Sequence, residues 1–218
     1  RDPALTDVLG KTQQSLDGLK EMLDVLLDIS RLDAGVVEPE VHDFPLRRLL
    51  DRLARDFTPQ AEAVDLAFRY VPSRLVVRSD PRLLERILHN LLSNARRYTT
   101  VGSILLGCRR KGGTVGIQVW DTGIGIPEAM RQQIFEEYRQ LGNESRDRTK
   151  GLALGLAIVE RLARLLGHHV EVRSTVGKGS MFEIRLPLGD EPVANRRPNV
   201  PATGSRGRLI AVVDDDCF

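Results

Sequence analysis

Asn90 and Asn94 stand four residues apart in a leucine-rich stretch, and Arg96, Arg97 and Tyr98 follow them. Four residues bring two side chains to one face of a helix. Asparagine works against helix propensity, so a pair on one face asks for a reason. An amide oxygen at Asn94 suits Mg²⁺, with phosphate oxygens and water completing its shell. Alternatively, both side chains simply hydrogen-bond neighbouring loops. Three glycine-bearing loops follow: Asp121-Thr-Gly-Ile-Gly-Ile-Pro127, Gly151-Leu-Ala-Leu-Gly-Leu156 and Gly177-Lys-Gly-Ser180. Glycine lets backbone approach a ligand closely, and successive amides in such turns form anion-binding nests; a hairpin needs glycine anyway. The second loop opens into a helical pattern, whose first amides suit phosphate. None is a GxxxxGK[ST] loop, and none is a GxGxxG following a strand in a βαβ unit.

These groups need elements to hold them. Residues 4–33 read as one long helix, in which Leu5, Leu9, Thr12, Leu16, Leu19, Leu23 and Leu26 fall on alternating steps of four and three. That is a heptad seam, to be covered by another helix of its own domain or of a coiled-coil-like dimer. Gly35 suits the C-cap. Residues 36–188 read as one domain. Pro45–Ala63 is predicted helical, with Pro59 a kink or early end. Leu66–Val71 and Leu75–Arg78 are predicted strands. Asp80-Pro81 reads as an N-cap and first helical residue, opening a helix that turns Leu83, Leu84, Ile87, Leu88, Leu91, Leu92 and Ala95 to a core. Hairpins join Ser103–Arg110 to Thr114–Asp121 and His169–Ser174 to Met181–Leu186, with a helix over Leu154–Leu166 between them. Hairpins mixed with helices predict helices layered on one face of a largely antiparallel sheet. Residues 189–207, rich in proline and glycine, read as a linker, and residues 208–218 as the opening strand of another domain.

Of the 218 residues 41% are hydrophobic, which excludes disorder along the whole length. The 32 basic and 30 acidic residues leave a charge of +2, no footprint for nucleic acid or an anionic membrane. Gly151–Val159 is the longest run without polar side chains, far short of the roughly 20 residues of a membrane-spanning helix. No signal peptide opens the sequence, and a start at Arg1 suggests a piece of something longer. Cys108 and Cys217 are far apart, and a reducing, cytoplasmic setting is expected.

Taken in order, the motifs resemble those of the ATP-binding domain of sensor histidine kinases, in the gyrase–Hsp90–histidine kinase–MutL (GHKL) superfamily. Asn90–Thr99 resembles the N box, Asp121–Ile126 the first glycine box, and Ile134-Phe-Glu-Glu-Tyr138 the F box. Gly151–Val159 is similar to the second glycine box and Gly177–Phe182 to the last. Leu26–Gly35 looks like the end of the second helix of the kinase dimerisation bundle, in agreement with the heptad seam. The resemblance implies an α+β fold, a two-layer α/β sandwich of the Bergerat type behind a long dimerisation helix. It implies that Asn94 holds Mg²⁺, Asn90 supports the metal and phosphate site, Arg97 contacts phosphate and Tyr98 lies against adenine. Asp121 would accept the adenine amino proton, with Gly123, Gly125 and Ile126 beside the base. The segment from about Tyr138 to Lys150 would be an ATP lid, and Gly151, Leu152, Gly155 and Leu156 would frame the phosphates. Hydrolytic relatives place a glutamate where Asn90 stands; an amide cannot take a proton from water, which reserves the γ-phosphoryl group for a histidine acceptor. Glu85, nearby on the same predicted helix, is an alternative base or a support residue.

The sequence also departs from that pattern. His42, His89, His168 and His169 all lack a His-Glu-x-x-x-Pro context, so this stretch is expected to bind ATP without phosphorylating itself. His168-His169 lacks an evident third ligand for a metal. Ala153 replaces a customary glycine, a cost of about 1 kcal/mol if that position needs positive φ. Leu209–Asp216 resembles the first strand and acidic pocket of a receiver domain, with Asp214 and Asp215 placed to help bind Mg²⁺. The expectation is the catalytic portion of a hybrid kinase, a homodimer through its N-terminal helix that serves its own or a separate receiver domain. A nucleotide-binding pseudokinase scaffold and a GHKL-type ATPase are the alternatives.

Overall fold

The computed structural model of the chain describes residues 12, 35–135 and 155–190. Of the expected leading helix, Thr12 is helical and exposed and the remaining positions lie outside the described residues, as do the lid segment, Gly151, Leu152, Ala153, most of the linker and residues 208–218. Gly35 has a φ of +65°, the left-handed conformation expected of a C-cap glycine.

Strand β1 (His42–Pro45) leads into helix α1 (Leu46–Glu62), and β2 (Ala67–Tyr70) and β3 (Val76–Ser79) follow. Helix α2 (Pro81–Tyr98) then precedes the hairpin of β4 (Ser103–Lys111) and β5 (Thr114–Asp121). Two short 3₁₀ turns (Glu128–Met130 and Gln133–Phe135), helix α3 (Gly155–Leu165) and the hairpin of β6 (His169–Thr175) and β7 (Gly179–Pro187) complete the order. One sheet runs β2-β4-β5-β7-β6, parallel between β2 and β4 and antiparallel elsewhere; β1 and β3 form a separate antiparallel ribbon. The architecture is the expected α+β sandwich.

Strand alternation divides the sheet's two faces. Ile104, Leu106, Ile117, Val119, Phe182 and Ile184 join the core with Leu49, Leu53 and Phe57 of α1 and Ile158, Val159 and Leu162 of α3. Helix α2 supplies Leu84, Ile87, Leu88 and Leu91, all with no exposure; each such burial stabilises by about 1.5–3 kcal/mol. The opposite face carries Gln118, whose Nε2 donates to Glu183 Oε2 at 2.6 Å, and Arg185, whose Nη2 donates to Glu171 Oε2 at 2.8 Å.

Pro59 does not end α1, one of the two outcomes expected of it from sequence: the helix runs on to Glu62. The proline sits in the last turn, where its missing N–H deprives only the Arg55 carbonyl. Phe57 and Ala61 on either side are buried, and the Pro59 carbonyl accepts from Ala63 N at 3.1 Å.

Asp80 caps α2 as its sequence position predicts. Its Oδ1 accepts from Arg82 N at 2.8 Å and Leu83 N at 3.2 Å, while Oδ2 accepts from Glu40 N at 2.8 Å. A cap of this kind contributes about 1 kcal/mol. Burial pushes this carboxyl up, but the three N–H donors hold it below the usual carboxylate range. At the other end of the domain, Gly189 N donates to Val76 O at 2.9 Å and Asp190 N to Asp43 Oδ2 at 3.4 Å. The chain therefore arrives and departs beside the same β1–β3 ribbon.

Candidate nucleotide-binding site

A cavity opens where the last turns of α2, the start of α3 and the loop after β5 meet. Asn94 and Tyr98 line it from α2, Asp121 from the end of β5, Ile126 from the loop, and Gly155 and Leu156 from α3. These are six of the residues singled out in the sequence, brought together from three separate motifs. Gly125 also lines it, while Gly123 lies just behind. Asn90 and Arg97 are not part of the lining. Arg97 is exposed, and Asn90 stands one turn back, with its Nδ2 donating to Arg86 O at 2.9 Å.

Asp121 is the polar anchor. Its Oδ1 accepts from Gly123 N at 2.8 Å, and it is 9% exposed. Burial raises its pKa, and the backbone amides of Gly123 and Ser180 pull in the opposite direction. A carboxylate held this way, on the wall of a largely apolar cavity, suits an amino donor of a ligand.

Two glycines permit the tight loop behind it. Gly125 has a φ of +70°, and a methyl there would strike the Thr175 carbonyl. A methyl on Gly123 would strike the Tyr98 carbonyl, which accepts from Ile124 N at 3.2 Å. The loop is also tied to the β6–β7 hairpin through Ser174. The Ser174 hydroxyl accepts from Ile126 N at 2.7 Å and donates to Gly179 O at 2.8 Å, with Ser180 Oγ 2.9 Å away. Arg131 Nη2 caps the Ser174 carbonyl at 2.7 Å.

The asparagine face looks onto α3. A methyl on Gly155 would lie 3.0 Å from Asn90 Oδ1 and 3.6 Å from Asn94 Nδ2. Asn94 Nδ2 is buried without a partner among the described residues, a costly state for an amide. The orphan N–H suits an acceptor such as a phosphate oxygen, while a cation would need the oxygen of the same amide. Glu85, the alternative base, is occupied elsewhere. Arg52 Nε and Nη2 donate to its two oxygens at 2.6 and 2.8 Å, so it ties α1 to α2.

Ala95, Ile134, Ser180 and Phe182 also line the cavity without having been assigned a role from sequence. Ser180 and Phe182 fall inside the quoted last glycine box and Ile134 inside the F box, which was their signal; Ala95 had only its place on the core face. His168 and His169 do not act as a pair: His168 is buried, and His169 is exposed. Among the described residues no three histidine, cysteine or carboxylate side chains cluster as a metal site. No helix among them is long and apolar enough to cross a membrane.

Residues 79–190 match the family described as histidine kinase-, DNA gyrase B- and HSP90-like ATPase. The chain belongs to this family, as the ATP-binding catalytic domain of a sensor histidine kinase. It is 35% identical over 207 residues to the circadian input-output histidine kinase CikA of Synechococcus elongatus, covering 91% of this chain and 27% of that protein. Against the sensor histidine kinase AruS of Pseudomonas aeruginosa it is 33% identical over 214 residues, 91% of this chain and 20% of the relative. The chain thus spans about a quarter or less of these relatives. Full-length ShkA in complex with AMPPNP superposes with a TM-score of 0.71 at 28% identity, over 87% of this chain and 40% of that one. The histidine kinase AdeS of Acinetobacter baumannii shares the fold, with a TM-score of 0.66 at 18% identity over 87% of each chain.

Proposed function

We propose that this chain binds Mg²⁺–ATP and passes the γ-phosphoryl group to a histidine on a dimerisation helix. The observation that carries the reading is Asn94, which lines the same cavity as Asp121 and whose buried Nδ2 has no partner among the described residues. Asp121 accepts the adenine amino proton at one end and Asn94 faces the phosphates at the other, with Tyr98 and Ile126 enclosing the base between them. An amide oxygen suits the cation: Asn94 Oδ1 would hold Mg²⁺, with Asn90 behind it, and the ion would supply charge neutralisation at the phosphates. Gly155 and Leu156 at the start of α3 complete the phosphate end; Arg97, outside the lining, and Gly151 and Leu152, outside the described residues, would join them there by their places in the motifs.

In the transfer an imidazole nitrogen forms a bond to the γ-phosphorus as the bond to the β–γ bridging oxygen breaks, and ADP departs. The chain's part is positioning and charge neutralisation. Asn90 offers water no base, which favours the histidine acceptor over hydrolysis. None of the four histidines stands in an acceptor context, so this stretch by itself does not phosphorylate itself. In the parent protein we infer a cytoplasmic homodimer through the leading helix, with a receiver domain as the next acceptor; Leu209–Asp216 supports a hybrid arrangement.

Calorimetric titration with ATP, with and without Mg²⁺, tests the reading. Expected is binding in the micromolar to sub-millimolar range that Mg²⁺ strengthens, and Asn94→Ala removing the Mg²⁺-dependent part. No heat at high nucleotide would overturn it in favour of the scaffold alternative, and rapid ATP turnover would point to the ATPase.

A further inference from the structure

Strand β2 closes one edge of the five-stranded sheet. Its ladder to β4 includes Ala67 N donating to Gly102 O at 3.0 Å and Val71 N to Leu106 O at 2.9 Å. In a parallel pair alternate residues turn their backbone groups to the same neighbour. The N–H and C=O groups of Phe68 and Tyr70 therefore face outward, with no strand beyond them among the described residues. Such an edge is a template for another strand.

Between this edge and α1 lies an open groove of about 780 Å³, walled by Arg48, Arg52 and Arg55 and floored by Phe68 and Tyr70. The floor is fixed. Phe68 packs edge-on to Phe57 with ring centroids 4.9 Å apart, and Tyr70 Oη donates to Asp51 Oδ1 at 2.6 Å. The charges on the walls are unequally satisfied. Glu85 takes Arg52, and Asp51 is shared by Tyr70 and Arg47. Arg48 has no carboxylate partner among the described residues, and Arg55 donates only to the Asp51 carbonyl, at 3.4 Å. Seven residues apart, the two lie about 10 Å apart along the helix. Alternate side chains of a strand are roughly 7 Å apart, so carboxylates at such positions fall within reach of both flexible guanidiniums.

We propose that the β2 edge and the α1 groove together form a docking site for an extended acidic peptide. The peptide adds to the sheet as a further strand beside Phe68 and Tyr70 and sends every second side chain, a carboxylate, toward Arg48 and Arg55. Backbone pairing supplies affinity and the two guanidiniums supply selection for acid. Arg69, exposed on the other face of β2, favours acid at the intervening positions as well. The opposite edge, β6, offers a less basic face: Arg173 there is paired with Glu171 at 2.7 Å.

The test is fluorescence anisotropy on the whole chain with a labelled ten-residue peptide of alternating glutamate and threonine. Binding is expected, with the lysine–threonine counterpart at least about tenfold weaker. Arg48→Glu with Arg55→Glu should weaken the acidic peptide by a similar factor while the melting temperature stays put. N-methylation of alternate peptide amides should do the same on the unaltered protein, and peptide addition should slow hydrogen exchange at the Phe68 and Tyr70 amides. Equal affinity for the N-methylated peptide would reduce the interaction to charge attraction and overturn strand addition. Undiminished binding by the double variant would overturn the groove.

Discussion

The Nε2 of His168 lies 2.7 Å from Ser79 Oγ, joining the turn after α3 to the strand that feeds α2. Burial pushes the imidazole pKa down to about 4, against an ordinary value near 6.5. The unfolded chain therefore binds the proton first. The stability this histidine contributes is complete above about pH 6.5 and is lost as pH falls from there toward about 4. At pH 5 the loss amounts to about 2 kcal/mol at most. Urea denaturation at pH 7.5 and pH 5 should show it, and His168→Gln should flatten that decline. An unchanged slope in the variant would assign the pH dependence to other groups.

Asp121 predicts stability and binding moving in opposite directions. Its raised pKa means that ionisation costs the empty fold, a contribution present at low pH and lost as pH rises through the folded-state pKa. Asp121→Asn keeps an oxygen for Gly123 N and removes the buried charge. The melting temperature should hold or rise by a few degrees, while ATP affinity falls by about tenfold or more, about 1.4 kcal/mol. Thermal melts with and without nucleotide separate the two effects.

Gly155 gives a similar split for a steric reason. Alanine there places a methyl 3.0 Å from Asn90 Oδ1, at the end of the cavity proposed for the phosphates. Helix propensity favours alanine over glycine by up to about 1 kcal/mol. Gly155→Ala should leave the melting temperature equal or higher and weaken ATP several-fold. Calorimetry showing unchanged affinity would remove Gly155 from the phosphate site.

Glu85 should prove structural. Its forked pair with Arg52 leaves Glu85 30% exposed, a setting in which ion pairs contribute about 1 kcal/mol or less. We expect Glu85→Gln to lower stability by no more than that and to leave Mg²⁺–ATP affinity alone. A large loss of affinity would return Glu85 to the catalytic machinery.

Local chemistry was readable from the residues; long-range closure was not. The Asp80 cap, the buried face of α2 and both glycine hairpins rest on neighbours within a few positions. The gathering of Asn94, Asp121 and Gly155 followed from motif order rather than from any local rule. Ser174 escaped because one serine in a strand carries no signal until Ile126, Gly179 and Arg131 converge on it. The Arg52–Glu85 fork joins positions 33 apart, and the parallel pairing of β2 with β4 depends on a crossover through β3 and α2. Pro59 misled because its cost depends on how much helix follows it, and here only three residues do.

The pairing of Glu40 with Asp80 and of Asp190 with Asp43 puts both ends of the described fold at one corner. That is the geometry of a cassette. A unit whose two leads emerge side by side can be seated between unrelated flanking segments without being stretched. Because the Asp80 carboxylate holds Glu40 and the first turn of α2 at once, such a cassette carries its own hinge pin. A transplant cut downstream of Glu40 would keep the pin and lose the backbone N–H it holds.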